Sequence, residues 1–289
     1  MKRIFALVLV LVLLTLLAAC GKVEITTQEI YDAGLVERML QNHQSVSICN
    51  EMDGMVICEE YLTNEYAYEH YPDEEYDSAQ FVTDEVMYAY IGGEYLRYLF
   101  IAPDGVTNDF SGDRALRYEA ALTTSILEET IDSVSKKDGR ITVKSVLSEE
   151  VLAALAEEGL ISSKSEYVFD AKTREVISTV TDYTYEDGTA FYVAATVAYD
   201  TQAPEMIEVF LKYENQTEDL RNVTVVTNPG TEKEVSQTFQ IPRGLGIGFS
   251  WADGYDDQVE LYSDAACTEA YDAYADTDSD LTVYVKWTE

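Results

Sequence analysis

The chain has 289 residues, and 19 lysines and arginines stand against 54 aspartates and glutamates, a formal charge of −35. So acidic a body repels nucleic-acid phosphates and the anionic surface of a membrane, which argues against DNA or RNA as a partner. Disorder is not implied, because 47% of the residues are hydrophobic and 22 are tyrosines.

Lys2 and Arg3 form a positive start, Ile4 to Leu16 is almost wholly apolar, and Leu17-Ala18-Ala19-Cys20 presents small residues ahead of Gly21. This pattern predicts a secretory signal peptide over residues 1–19. The sixteen residues from Ile4 to Ala19 fall short of the roughly 20 that a membrane-spanning helix needs. Leu17 to Cys20 resembles the lipobox of bacterial lipoproteins. That resemblance implies that Cys20 is acylated and becomes the first residue of the mature protein, with residues 20–25 as a lipidated tether. The expected location is the extracytoplasmic face of the cell membrane. Acyl chains, at ~0.8 kcal/mol per buried CH₂, and not a basic patch, would hold the chain there.

The body begins with a helix. Thr26 and Glu29 have capping-box spacing, and Ile30, Leu35, Met39 and Leu40 share a face up to Gln44. A hairpin follows, with Val46, Ile48 and Met52 before Asp53-Gly54 and Met55, Ile57 and Tyr61 after it. A polar loop with Asp73, Glu74, Glu75 and Asp77 leads to a second hairpin at Gly92-Gly93. Alternation there puts Met87, Ala89, Ile91, Leu96, Tyr98 and Phe100 on one face and Tyr88, Tyr90, Tyr95 and Arg97 on a wet one. Helical periodicity predicts a helix over Asp113 to Val134, stopped by Lys136-Lys137-Asp138-Gly139. A strand over Ile141 to Val146 precedes a helix from Ser148 to Glu158, ended by Gly159.

Asp187-Gly188 organises a long hairpin with Val176, Val180, Phe191, Val193, Ala195, Val197 and Tyr199 on one face, and Glu205 to Tyr213 reads as a strand after Pro204. Glu214 to Asp219 reads as a linker. Val223 to Thr227, Val235 to Ile241 and Leu281 to Trp287 read as strands, with a turn at Asn228-Pro229-Gly230. The mature chain is therefore expected to divide into residues 26–217 and 218–289.

Two resemblances give these parts a fold. Leu261-Tyr262-Ser263-Asp264-Ala265-Ala266-Cys267-Thr268, Tyr271-Asp272 and Asp280 to Trp287 resemble the Listeria–Bacteroides, or internalin B-type, repeat. The family's usual Gly-Tyr-x-Phe-x-Gly-Trp run is absent, and Gly248-Phe249-Ser250-Trp251 stands in its place. The resemblance implies a small β-grasp-like interaction module. In residues 26–217, an N-terminal helix, a run of antiparallel strands, inserted helices and long closing strands together resemble the LolA/LppX-like lipoprotein carriers. That implies a curved half-barrel whose helix-covered face holds acyl chains. The expected class is α+β: a curved antiparallel sheet with covering helices and a small C-terminal module.

Counting outward from Asp53-Gly54 places Cys49 opposite Cys58 in a non-hydrogen-bonded pair with Cα atoms ~4.5 Å apart. A disulfide accepts about 4.4 Å and upward, and export permits one; two unbridged thiols are the other state. Cys267 is expected as a small buried hydrophobe. Asp276, Asp278 and Asp280 have calcium-loop spacing, but Leu281 and Trp287 occupy the positions that need Gly and Glu, so a solvated acidic turn is expected, as at Asp253, Asp256 and Asp257. His43 and His70 lack cysteines or carboxylates at zinc-ligand spacing. Gly244, Gly246 and Gly248 lack the strand-to-helix setting of a phosphate loop, and no nucleophile elbow appears.

No catalytic, cofactor or metal residue is assigned, and the chain is read as a non-enzyme. Tyr61, Tyr66, Tyr68, Tyr71, Tyr88, Tyr90, Tyr95 and Tyr98 are either a ligand platform or amphipathic wall residues. Two functions fit: non-covalent binding of a lipid or other apolar molecule in the half-barrel, or adhesion and envelope assembly with a protein or glycan partner.

Overall fold

The computed structural model describes residues 24–73, 76–102, 105–119, 122–251, 258–274 and 277–287. The expected signal peptide, Cys20 as the expected acylation site, and Glu74, Glu75, Asp253, Asp256, Asp257 and Asp276 lie outside the described residues. Among the described residues, no helix is long and apolar enough to cross a membrane.

The chain opens with α1 (Thr27–Gly34) and α2 (Val36–Leu40). The capping box forms: Glu29 N donates to Thr26 Oγ1 at 3.2 Å, and Thr26 N donates to Glu29 Oε2 at 2.8 Å. α2 ends at Leu40, a turn earlier than Gln44. Seven strands follow: β1 (Ser45–Met52), β2 (Met55–Thr63), β3 (Ala67–Tyr71), β4 (Ser78–Val82), β5 (Met87–Ile91), β6 (Glu94–Ala102) and β7 (Gly105–Thr107). After α3 (Ser111–Glu119) come β8 (Glu129–Lys137), β9 (Arg140–Leu147), α4 (Glu149–Leu155), β10 (Leu160–Asp170), β11 (Val176–Tyr185) and β12 (Ala190–Tyr199). α5 (Glu205–Glu214) precedes β13 (Leu220–Thr227), β14 (Val235–Pro242), β15 (Gly246–Trp251), β16 (Val259–Tyr262) and β17 (Leu281–Trp287).

The result is an α+β protein dominated by one large curved, mostly antiparallel sheet. Its order is β15-β6-β5-β4-β3-β2-β1-β12-β11-β10-β9-β8, with β7 also on β6. Two meanders, β1–β6 and β8–β12, meet along β1 and β12, where Val46 to Met52 pair antiparallel with Tyr199 to Val193. A smaller sheet has the order β14-β13-β17-β16, with β13 and β17 parallel.

Each face of the large sheet has its own core. On one, α1 and α2 bury Ile30, Val36, Met39 and Leu40 against Val46, Ile48, Leu62, Val143, Phe169 and Val197. Thr123 sits so close to α1 that a Cβ on Gly34 would come within 2.0 Å of its Oγ1, and the same hydroxyl donates to the Ile30 carbonyl at 3.0 Å. On the other face, Tyr61, Tyr68, Phe81, Tyr88, Leu99 and Ile101 pack beneath α5 and the smaller sheet. Phe210 is fully buried, with ring centroids 5.7 Å from Phe81, 5.9 Å from Tyr95 and 6.1 Å from Tyr88.

Several expectations are corrected. Residues 205–214 form a helix, not a strand. Met206, Ile207, Phe210 and Leu211 make one helical face toward the aromatic core, and Glu205, Glu208 and Lys212 suit the helix dipole. The helix expected to reach Val134 stops by Glu119, and Glu129–Lys137 is an edge strand. Asp138-Gly139 is the turn of a hairpin, with φ of 51° and 76°, and not a helix stop.

The face of Tyr88 and Arg97 is not wet: the two are 2% and 6% exposed, because α5 and the smaller sheet cover them. Val180 pairs with Ala194 and so lies on the opposite face from Val193 and Ala195. The C-terminal strands are not confined to a separate unit either. β15 runs parallel to β6 inside the large sheet, from Gly246 beside Leu96 to Trp251 beside Ile101, and Val223, Val225, Val283 and Val285 share the aromatic core.

The Cys49–Cys58 pairing does not form. A β-bulge between Asn50 and Glu51 shifts the register, so Cys49 lies opposite Glu59 and Cys58 opposite Asn50. The strand's alternation then sends the two side chains to opposite faces, and both thiols are free. Cys267 is half-buried in a turn with φ of 52°, its N–H donating to the Asp264 carbonyl at 3.0 Å, and is not a core residue.

Candidate functional site

Strand register lines up two rows of side chains on the α5 face. Ala198, Ser47, Tyr61, Tyr68, Phe81, Tyr88 and Arg97 form one. Thr196, Cys49, Glu59, His70, Ala79, Tyr90 and Tyr95 form the next. From Phe81 toward β6 these rows lie beneath Phe210 and Tyr213. Toward β12 the cover ends. There Ser47, Thr196 and Ala198 are small, and a cleft of about 390 Å³ opens between Tyr61, Tyr68, Cys49, Glu59, His70 and the connection at Gln202 and Pro204. That volume is in the range of small-molecule pockets, roughly 300–1,000 Å³.

The connection from β12 to α5 is fastened as one wall. Tyr61 Oη donates to the Thr201 carbonyl at 3.3 Å, Ser45 Oγ donates to the same carbonyl at 3.4 Å, and Ser47 Oγ hydrogen-bonds Thr201 Oγ1. Asp200, in the left-handed region at φ 53°, accepts from Gln44 N at 2.7 Å and holds His43 Nδ1 at 2.8 Å. His43 Nε2 lies 2.8 Å from Glu175, so this imidazole joins the starts of β1 and β11 to the end of β12. Its pKa is raised, first by the hydrogen bond to Asp200 and then by that to Glu175.

At the cleft's rim His70 repeats the arrangement. Its Nδ1 lies 3.0 Å from Glu59 Oε2 and its Nε2 2.8 Å from Asp77 Oδ1. Partial burial opposes the charged ring, but the two carboxylates outweigh it and raise the pKa. With two carboxylates about one imidazole, the cluster carries a net negative charge whether the ring is neutral or protonated.

Burial also pushes the Tyr68 phenol up to about 12 and raises the Cys49 thiol, with Glu51 and Glu59 adding to the latter. Cys58, on the other face, is pushed up to about 12 by burial. Cys49 is therefore a protonated wall residue and not an activated nucleophile. Among the described residues no lysine or arginine lines the cleft. Apolar walls, neutral hydroxyls and a negative rim suit an uncharged or cationic ligand and repel a carboxylate or phosphate head group.

Of the tyrosines singled out in the sequence, the structure brings Tyr61 and Tyr68 to the cleft. Tyr66, Tyr88, Tyr90 and Tyr95 belong to the aromatic core. Sequence reasoning missed Ser47, Glu59, Thr196, Ala198, Gln202 and Pro204. The small residues on alternate positions of β12 were the available signal. His43 and His70 do have carboxylate neighbours, but these arrive from 132 and 157 residues away at His43 and from 11 and 7 at His70. Among the described residues no group of three or more His, Cys, Asp or Glu is placed to hold a metal ion. Asp280 instead accepts from Asn222 N at 2.8 Å and from its Nδ2 at 3.1 Å.

No family model and no curated protein matches the chain. Among solved structures it is similar to the lipoprotein LppX of Mycobacterium tuberculosis, at 8% identity, covering 62% of this chain and 99% of that one, with a TM-score of 0.37. The fold described above rests on strand order and packing and not on this likeness.

Proposed function

We propose that the chain is a lipoprotein anchored through Cys20 whose folded body binds an uncharged, largely apolar molecule in the cleft. The observation that carries this is the gap in the cover of the sheet, floored by Tyr61 and Tyr68, walled by Gln202 and Pro204 and, among the described residues, free of lysine or arginine. Binding there is passive: apolar burial at ~25 cal/mol per Å² holds the ligand, and no bond is made or broken. The smaller sheet serves in this reading as a β-grasp-like lid over the aromatic core. Native mass spectrometry of the protein released from membranes by mild detergent tests the reading. A discrete adduct on the wild type that is lost in Ala198→Trp, which fills the cleft, supports it. Identical spectra of the two proteins count against it.

A second reading, an envelope interaction protein with a protein or glycan partner, draws on another observation. Met52, Met55, Val56, Ile57, Ile91 and Ile161 are all exposed at the edge of the sheet formed by the turns at Asp53-Gly54 and Gly92-Gly93 and the start of β10. Met55 is 65% exposed. Met52, Met55, Val56 and Ile57, neighbours about the turn at Asp53-Gly54, make an exposed apolar patch of the kind that marks contact sites. Met55→Lys with Ile57→Lys would abolish such a contact and leave the cleft adduct in place.

A further inference from the structure

Of the 16 described lysines and arginines, seven are buried or ion-paired, and of the other nine, five cluster on two turns. Arg97 and Arg221 are buried, Arg114 pairs with Asp84 at 2.6 Å, Arg117 with Glu69 at 2.8 Å and Lys144 with Glu166 at 3.0 Å. Lys136, Lys137, Arg140, Lys172 and Arg174 differ. All are exposed, and among the described residues none makes an ion pair within 4 Å. They sit on two neighbouring turns, β8–β9 and β10–β11, tied together by the hydrogen bond from Ala171 N to the Gly139 carbonyl at 2.8 Å. Three acids lie among them, Asp138, Asp170 and Glu175; Asp170 accepts from the amides of Lys172 and Thr173 at 2.8 and 2.9 Å, and Glu175 is held by His43. Five cations against three acids leave the turns formally positive on a chain of charge −35.

Their place in the fold supplies the second half of the argument. Arg174 lines, with Ile25, Glu29, Ala33, Arg38 and Phe169, a crevice of about 110 Å³ at the start of α1. The chain runs from there toward Cys20. Glu24 is four residue steps from Cys20, at most about 14 Å of extended backbone. Lys22 lies between them in sequence.

We infer that the two basic turns dock on the anionic phospholipid head groups of the membrane that holds the acylated Cys20. The inference rests on the anchoring part of the proposed function. It adds a second contact to the expected acyl anchor. An acyl anchor within about 14 Å of Glu24 holds this end of the body at the head groups, and each cation near an anionic surface strengthens binding about fivefold. Docking also fixes orientation. β9 and β10 run from the basic turns to the opposite edge over about 30 Å, so the exposed Met55 and Ile57 point away from the membrane.

The test is lysine footprinting of the full mature protein, purified from membranes and reconstituted on vesicles of pure phosphatidylcholine or of phosphatidylcholine with phosphatidylglycerol. An amine-acetylating reagent reads each lysine by mass. Lys136, Lys137 and Lys172 should be labelled severalfold less on the anionic vesicles. Lys233 should be unchanged, and about 0.5 M salt should remove the difference by screening. Equal labelling on both vesicles would overturn the inference. The anchor is scored separately, by acyl mass on the Cys20 peptide and by association with phosphatidylcholine alone. Should the anchor fail, protection on anionic vesicles still supports the basic turns as a docking surface, and no protection rejects it.

Discussion

The two halves of the large sheet carry similar alternation and end in different environments. In β9 and β10, Ile141, Val143, Ser165, Tyr167 and Phe169 face the helix-covered core, while Lys144, Lys164 and Glu166 on the opposite face stay wet. In β3 to β6 the face that continues this wet surface holds Tyr68, Phe81, Tyr88 and Arg97 and is buried beneath α5 and the smaller sheet. The lesson is that alternation reports two faces but not which of them water touches. Tyrosine and arginine, each with an apolar stem and a polar end, suit a wet or a covered surface equally. The cleft lies on the seam between the two regimes, at β1 and β12, where the cover stops.

The largest effect expected from this contrast is at Phe210. Phe210→Ala should destabilise by about 3–5 kcal/mol in urea unfolding, since the ring fills the centre of the covered half. Val146→Ala, on the wet face of the open half and 39% exposed, should cost under about 1 kcal/mol. Similar costs at the two positions would remove the distinction between the halves.

Next comes Glu129, where β8 enters the open half. It is 7% exposed and accepts from Ser145 Oγ and Ser165 Oγ at 2.5 Å each and from Tyr167 Oη at 2.9 Å. Glu129→Leu removes the shared acceptor of three hydroxyls, of which Ser165 keeps Thr181 and Tyr167 keeps Ser125, and a loss of about 2–3 kcal/mol in the same assay is expected. An unchanged urea midpoint would mean that these hydroxyls find other partners.

A smaller, pH-dependent effect sharpens the comparison at the seam. His43 and His70 both have folded-state pKa values above the ordinary 6.5. Their contribution is complete below the unfolded value and is lost as pH rises through the folded one. The urea midpoint should therefore fall as pH is raised through and above neutrality. His43→Gln and His70→Gln should each flatten that slope, and a slope unaffected by either change would remove the two histidines from the account. The smallest effect is at the thiols. Cys49→Ser should leave the unfolding midpoint within experimental error, with or without reductant, and a wild-type mass two units lower in non-reducing conditions would instead reveal the bridge.

Much of the fold was legible where the signal was local. The Thr26–Glu29 capping box and the turns at Asp53-Gly54, Gly92-Gly93 and Asp187-Gly188 form as expected, because positive φ or a cap bond fixes each within a few residues. Residues 205–214 were not legible, since Met206, Ile207, Phe210 and Leu211 suit a helix only once the aromatic pocket of Phe81, Tyr88 and Tyr95, far upstream in the chain, exists to receive them. The bulge at Asn50 has no local mark, so the cysteine register was misread. The cleft was half legible: Tyr61 and Tyr68 drew notice, but its open side depends on small residues in β12 and a wall from the segment after it.

The central claim is that the seam binds an uncharged apolar molecule. Titration of the mature protein with N-phenyl-1-naphthylamine, a neutral apolar fluorophore, tests it most directly. The account predicts saturable single-site binding to the wild type that is lost in Ala198→Trp while thermal unfolding of the two proteins coincides. Absence of saturable binding, or equal binding by both proteins, would contradict it.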